Sequence, residues 1–83
     1  MRTKYVSGAA VTDLGTTAPF LPGYTAVAIN TGTSADTLQL GDASTGPFDT
    51  VAVIPAGGSV EFEITARYAA IENGAGTIVI LGN

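Results

Sequence analysis

The sequence predicts an all-β protein, a small antiparallel β-sandwich or barrel of about six to seven short strands with an extended N-terminal segment. Three observations lead there. Eleven glycines and four prolines cut the 83 residues so often that only 59–73 runs beyond ten positions without one, which leaves helices almost nowhere to form. That interval opens on strict alternation, Val60, Phe62 and Ile64 against Glu61, Glu63 and Thr65, the period of a half-buried strand. The breaks between apolar runs carry turn chemistry. Pro55-Ala56-Gly57-Gly58 suits a tight turn begun by proline, and Asn73-Gly74-Ala75-Gly76 offers residues that tolerate positive φ.

Taken in chain order, residues 1–23 read as an N-terminal arm and connector and 24–83 as the sandwich, within a single domain. The stretch 4–11 offers a seventh strand. In 16–23, Pro19 and Pro22 flank Phe20 and Leu21, which predicts an extended connector whose two apolar side chains cover the core edge. Period two returns in Thr25, Val27 and Ile29 against Tyr24, Ala26, Ala28 and Asn30, and in Leu38 and Leu40 against Thr37 and Gln39. Residues 31–35 and 42–49 read as loops. Further strands are expected at 51–54, 67–72 and 77–81, with hairpins at 55–58 and 73–76. The segment 67–72 also permits a short helical turn, because Ala66, Ala69 and Ala70 favour one.

Charged residues are only 12% of the chain, about half the usual share, so the surface is unusually uncharged. Seven acidic and three basic residues give a net charge of −4, which opposes a nucleic acid partner. Two of the basic residues, Arg2 and Lys4, fall in the first four positions, so a basic arm precedes an acidic body. The N-terminus lacks the apolar run of a signal peptide and is expected to be retained. The longest apolar stretch, 51–56, is far below the roughly 18 residues of a membrane span, so no membrane partner is expected.

With no cysteine and no histidine, the chain lacks the thiol nucleophile, the common general base and the usual zinc ligands. A domain this small commonly draws extra stability from disulfides, a structural metal or partner subunits, and association is the route left open. Neither a cofactor nor an enzymatic activity is expected. Glu61 and Glu63 stand about 7 Å apart along one strand face, near a glycosidase separation, but a solvated sheet face explains them better. Twelve threonines and four serines supply hydroxyls without a base to activate them and suit a pleated surface instead. Asp36, Asp42 and Asp49 match no calcium-loop spacing. Gly74-Ala75-Gly76 is followed by neither lysine nor helix and reads as a turn rather than a phosphate loop.

Two features point to subunit contacts. Arg67-Tyr68 joins the body's only arginine to an amphipathic aromatic, a pairing common at interface hot spots; a surface ion pair to Glu61 or Glu63 is the other reading. The run Ile78-Val79-Ile80-Leu81 does not alternate, so both faces of its strand carry large apolar groups. A sandwich covers one of those faces, which leaves the other to a second subunit or to the chain's own N-terminal region.

The stretch Ile54-Pro55-Ala56-Gly57-Gly58-Ser59-Val60-Glu61-Phe62, with Ala66-Arg67-Tyr68-Ala69-Ala70-Ile71 and the closing Gly76-Thr77-Ile78-Val79-Ile80-Leu81-Gly82-Asn83, resembles small virion proteins of tailed bacteriophages. The likeness spans roughly the C-terminal third and consists of strand, proline-glycine turn and strand. It implies a capsid decoration or cement protein, a β-sandwich that forms homo-oligomers, often trimers, on the shell. The partner would be the major capsid protein or another virion protein. The site would be the capsid surface, after synthesis in the host cytoplasm. On that reading Arg2, Lys4 and Tyr5 form an arm that contacts an acidic neighbour on the capsid, while Arg67, Tyr68, Ile78, Val79, Ile80 and Leu81 meet other subunits. The alternative is a tail-fibre or adhesin module in which Tyr5, Tyr24 or Tyr68 stacks on a sugar ring.

Overall fold

The computed structural model describes residues 2–16, 19–72 and 74–82. Among these residues lie eight strands: β1 (Arg2–Ser7), β2 (Thr12–Asp13), β3 (Thr25–Asn30), β4 (Asp36–Gly41), β5 (Phe48–Ile54), β6 (Ser59–Glu63), β7 (Tyr68–Ile71) and β8 (Thr77–Gly82). They form two four-stranded antiparallel sheets, ordered β1-β8-β3-β6 and β2-β7-β4-β5. The all-β sandwich expected from the sequence is therefore present, and within 67–72 the residues Tyr68–Ile71 form a strand rather than a helical turn. The accessible surface is 4311 Å², near the roughly 4,600 Å² that size scaling gives for such a chain.

Between the sheets lies one core, to which nearly every strand contributes alternate residues. Val6, Ala26, Ala28, Phe62, Ile78 and Ile80 come from the first sheet; Leu38, Leu40, Ile54, Ala69 and Ile71 come from the second. Leu14, Phe20, Ile64 and Ala66, from the connections, close one end. In β3 the inward residues are the two alanines, and the larger Val27 and Ile29 point outward. Small side chains there share one core with the leucines of β4 in the other sheet, and mixing large with small lets the layers interlock.

Three expectations are corrected. The first is the N-terminal arm: β1 pairs with β8 over six residues, from Arg2↔Gly82 to Ser7↔Thr77, so this segment is an edge strand of the sandwich. The seventh strand expected over 4–11 is thus present in part, displaced to Arg2–Ser7; its start was hidden because two of its six residues are cationic.

The second concerns the turns. Pro55–Gly58 does make a tight turn, closed by Gly58 N–H donating to the Pro55 carbonyl at 2.8 Å. However, β5 and β6 belong to different sheets, so the turn is an arch rather than a hairpin. The same holds for the link from β7 to β8. The hairpin within one sheet is β4–β5; of the segment 42–49 expected as a loop, Phe48 and Asp49 belong to β5. Every other connection crosses between the layers.

The third is the connector. Phe20 is buried as expected, but Leu21 is 47% exposed. Thr17 and Ala18 of that connector, and Asn73 of the 73–76 turn, lie outside the described residues.

Candidate association surface

Register places the outward residues of β1, β8, β3 and β6 in rows across the first sheet. One row runs Thr3, Leu81, Val27, Glu61, and the next runs Tyr5, Val79, Ile29, Ser59. Five large apolar or aromatic side chains thus adjoin: Tyr5, Val27, Ile29, Val79 and Leu81. Tyr5 is 63% exposed, and the other four are half-buried by their neighbours within the sheet. Glu61 and Glu63 stand at the β6 margin, and Thr3, Tyr5 and Ser7 present hydroxyls at the β1 margin. No other charged side chain occurs at the outward positions of these four strands.

The outer face of the second sheet differs in character. Thr37, Gln39, Thr50 and Ala70 lie across its middle, with Val53 exposed on the edge strand β5. At its β2–β7 end Arg67 forms a two-pronged ion pair with Asp13, Nε to Oδ1 at 2.8 Å and Nη2 to Oδ2 at 2.9 Å. This bond holds the Asp13 carboxyl below the ordinary aspartate range, and the carboxylate in turn raises Arg67. The arginine's partner is therefore Asp13, not Glu61 or Glu63. Asp13 was not legible as the partner, because 54 residues separate the two and only strand pairing of β2 with β7 joins them. The guanidinium also lies 5.5 Å from the Tyr68 ring, so both residues are engaged within the chain.

The remaining predicted residues divide sharply. Ile78 and Ile80 are fully buried in the chain's own core and cannot reach a neighbour, whereas Val79 and Leu81 face outward. Arg2 and Lys4 take inward positions at the edge of the sandwich. The Arg2 guanidinium stands 5.4 Å from the Tyr24 ring, and Lys4 Nζ donates to the Thr16 carbonyl. Their charge fastens the connector before β3; Tyr5 alone of the three points away from the body. Val27 and Ile29 were missed as surface residues. The signal was present, since both alternating sets of 24–30 contain apolar residues.

The three tyrosines share no platform: Tyr5 and Tyr68 lie on opposite faces, and Tyr24 lies against Arg2. The three aspartates separate as well. Asp36 is buried at one end of the sandwich beside Gly76 and Gly32. Asp42 and Asp49 line an open cleft of about 490 Å³ at the β4–β5 hairpin. Among the described residues, no three potential metal-ligating side chains come together.

The two strand orders, with β1 in contact with β2 and β5 with β6 across the layers, define a jelly-roll sandwich. Comparison with protein-family models, with curated proteins and with solved structures finds no match for the chain.

Proposed function

We propose that this chain is a non-enzymatic virion structural protein, a subunit of the capsid decoration or cement type that works by association at the surface of a phage shell. The observation that supports this reading is the outer face of the β1-β8-β3-β6 sheet, where Tyr5, Val27, Ile29, Val79 and Leu81 form a solvent-accessible apolar surface bearing charge at one margin only. A contiguous apolar face of this kind marks an interaction site more often than a bare surface. Jelly rolls occur widely in viral capsid domains, which is an analogy at the level of fold. On this reading the partners are copies of the chain and the major capsid protein or another virion protein.

The test is co-sedimentation of the purified chain with empty tailed-phage capsids that lack decoration protein. Saturable binding, with a raised temperature of shell disruption, is expected. Absence of binding at both low and moderate salt overturns the proposal.

A further inference from the structure

We infer that the outer face of the β1-β8-β3-β6 sheet is occupied by a second copy of the same chain, packed face to face about a two-fold axis parallel to the strands. The inference rests on the reading above only in taking this face for an association surface; it names the occupant and the geometry.

Area is the first argument. The molecule's long axes, 28 and 27 Å, cap the projection of a broad face at about 750 Å², so a contact that covers the whole face, strands and flanking loops together, comes within reach of the roughly 800 Å² that each partner of a stable pair commonly buries. A single flat patch that meets itself makes an isologous contact, and such a contact closes at two copies.

Self-complementarity is the second argument, and it selects the axis. Rotation about a line parallel to the strands reverses the strand order of the second sheet, so its β6 lies over β1 of the first and its β3 over β8. Within the rows, Leu81 of one copy then meets Val27 of the other, and Val79 meets Ile29. Glu61 of each copy falls opposite Thr3 of its partner, at the margin where hydroxyls are available to donate to a carboxylate. Rotation about the in-plane line across the strands instead sets β6 on β6, bringing four carboxylates from Glu61 and Glu63 together with no cationic side chain at the outward positions of the described strands. Like charges opposed at an interface exclude that arrangement. Aligned packing about 10 Å apart, the spacing of stacked sheets, leaves room for one layer of interdigitated side chains.

The chain has no cysteine, so each introduced thiol reports one position. Sedimentation velocity of the wild-type chain over a wide concentration range is expected to show a monomer–dimer equilibrium. Val79→Lys is expected to be monomeric with an unchanged far-ultraviolet circular dichroism spectrum, and Leu81→Thr to dissociate about tenfold or more readily. Gln39→Lys, on the opposite face, is expected to dimerise as wild type. A mixture of Val27→Cys and Leu81→Cys should form a disulfide-linked pair under mild oxidation, whereas Glu61→Cys alone should not.

A wild-type monomer at all concentrations, a trimer, or efficient self-linking by Glu61→Cys overturns the inference. A wild-type chain that binds empty capsids yet sediments as a monomer refutes this inference and leaves the proposed function standing. A dimer with the expected cross-link that binds no capsid supports the inference and refutes the function.

Discussion

The Asn30 side-chain amide donates to the Ile54 carbonyl at 2.9 Å, so one buried group ties the end of β3 in one sheet to the end of β5 in the other. The same amide nitrogen donates to the Ser34 carbonyl at 2.8 Å, and Oδ1 accepts from Gly32 N–H at 2.8 Å. This residue thereby fixes the path of the chain as it leaves one layer for the other. Asn30→Ala leaves the Ile54 carbonyl without its partner in a buried setting and the Ser34 carbonyl and Gly32 N–H without theirs in a part-buried one, at about 1–3 kcal/mol for each group left unpaired away from water. Destabilisation of about 3 kcal/mol or more is expected from urea unfolding, a large share of the stability of a domain this small. Asn30→Asp keeps the acceptor but aims a carboxylate at two carbonyl oxygens. Its stability should fall further as pH rises through the carboxyl's titration.

Two turn glycines carry different burdens. Gly57 adopts φ of 73°, with open space where a Cβ would stand. Gly57→Ala should therefore cost only the left-handed backbone penalty, about 1–2 kcal/mol. Gly76 adopts φ of 82°, and a Cβ there would overlap the carboxylate of the buried Asp36. Gly76→Ala should cost about 3 kcal/mol or more, because overlap in a packed site adds to the strain. Thermal or urea denaturation of the two variants side by side checks the ranking.

Strand positions were legible because period two survives in Val60, Phe62 and Ile64 and in Leu38 and Leu40, all of which turn toward the core. Connectivity was not. Pro55–Gly58 has the same local chemistry whether the strands it joins share a sheet or stand in two, and long-range pairing decides between them. β1 was legible only in part, as a strand over 4–11 rather than Arg2–Ser7, because its inward side opens with Arg2 and Lys4, whose cations find partners across the connector that no local pattern announces. The apolar face was half legible. Ile78-Val79-Ile80-Leu81 declared two-sided burial, but sorting its members into core and surface required the register that pairs Ile80 with Ala28 and Val79 with Ile29.

That sorting gives a direct contrast between adjacent residues. Ile80 is fully buried, and Ile80→Ala should destabilise the monomer by about 2–5 kcal/mol through lost burial and the cavity left behind. Val79→Thr exchanges one methyl group for a hydroxyl at an outward, half-buried position and keeps the β-branched shape. Its effect on the unfolding of a dilute sample should stay within about 0.5 kcal/mol. Equal losses at both positions would mean that the strand faces are wrongly assigned.

The ion pair of Asp13 with Arg67 sets a pH dependence whose sign follows from its geometry. The hydrogen bond from Arg67, more than any other neighbour, lowers the Asp13 pKa in the folded chain, and Gly15 N–H adds a second donor at 2.8 Å. A carboxyl whose folded pKa lies below its unfolded one contributes stability that is complete above the unfolded value, about 4, and is lost as pH falls through the folded value. Asp13→Asn keeps an acceptor for Gly15 but removes the charge. The wild type should therefore be the more stable at neutral pH by a small margin, as expected of a solvent-exposed pair. That margin should hold steady down to about pH 4, shrink below it, and close once Asp13 is protonated in both states. Added salt should narrow it at neutral pH. Urea midpoints for the two proteins at a series of pH values provide the measurement, and a margin that widens on acidification would contradict the assignment of Arg67 as the partner that holds Asp13 ionised.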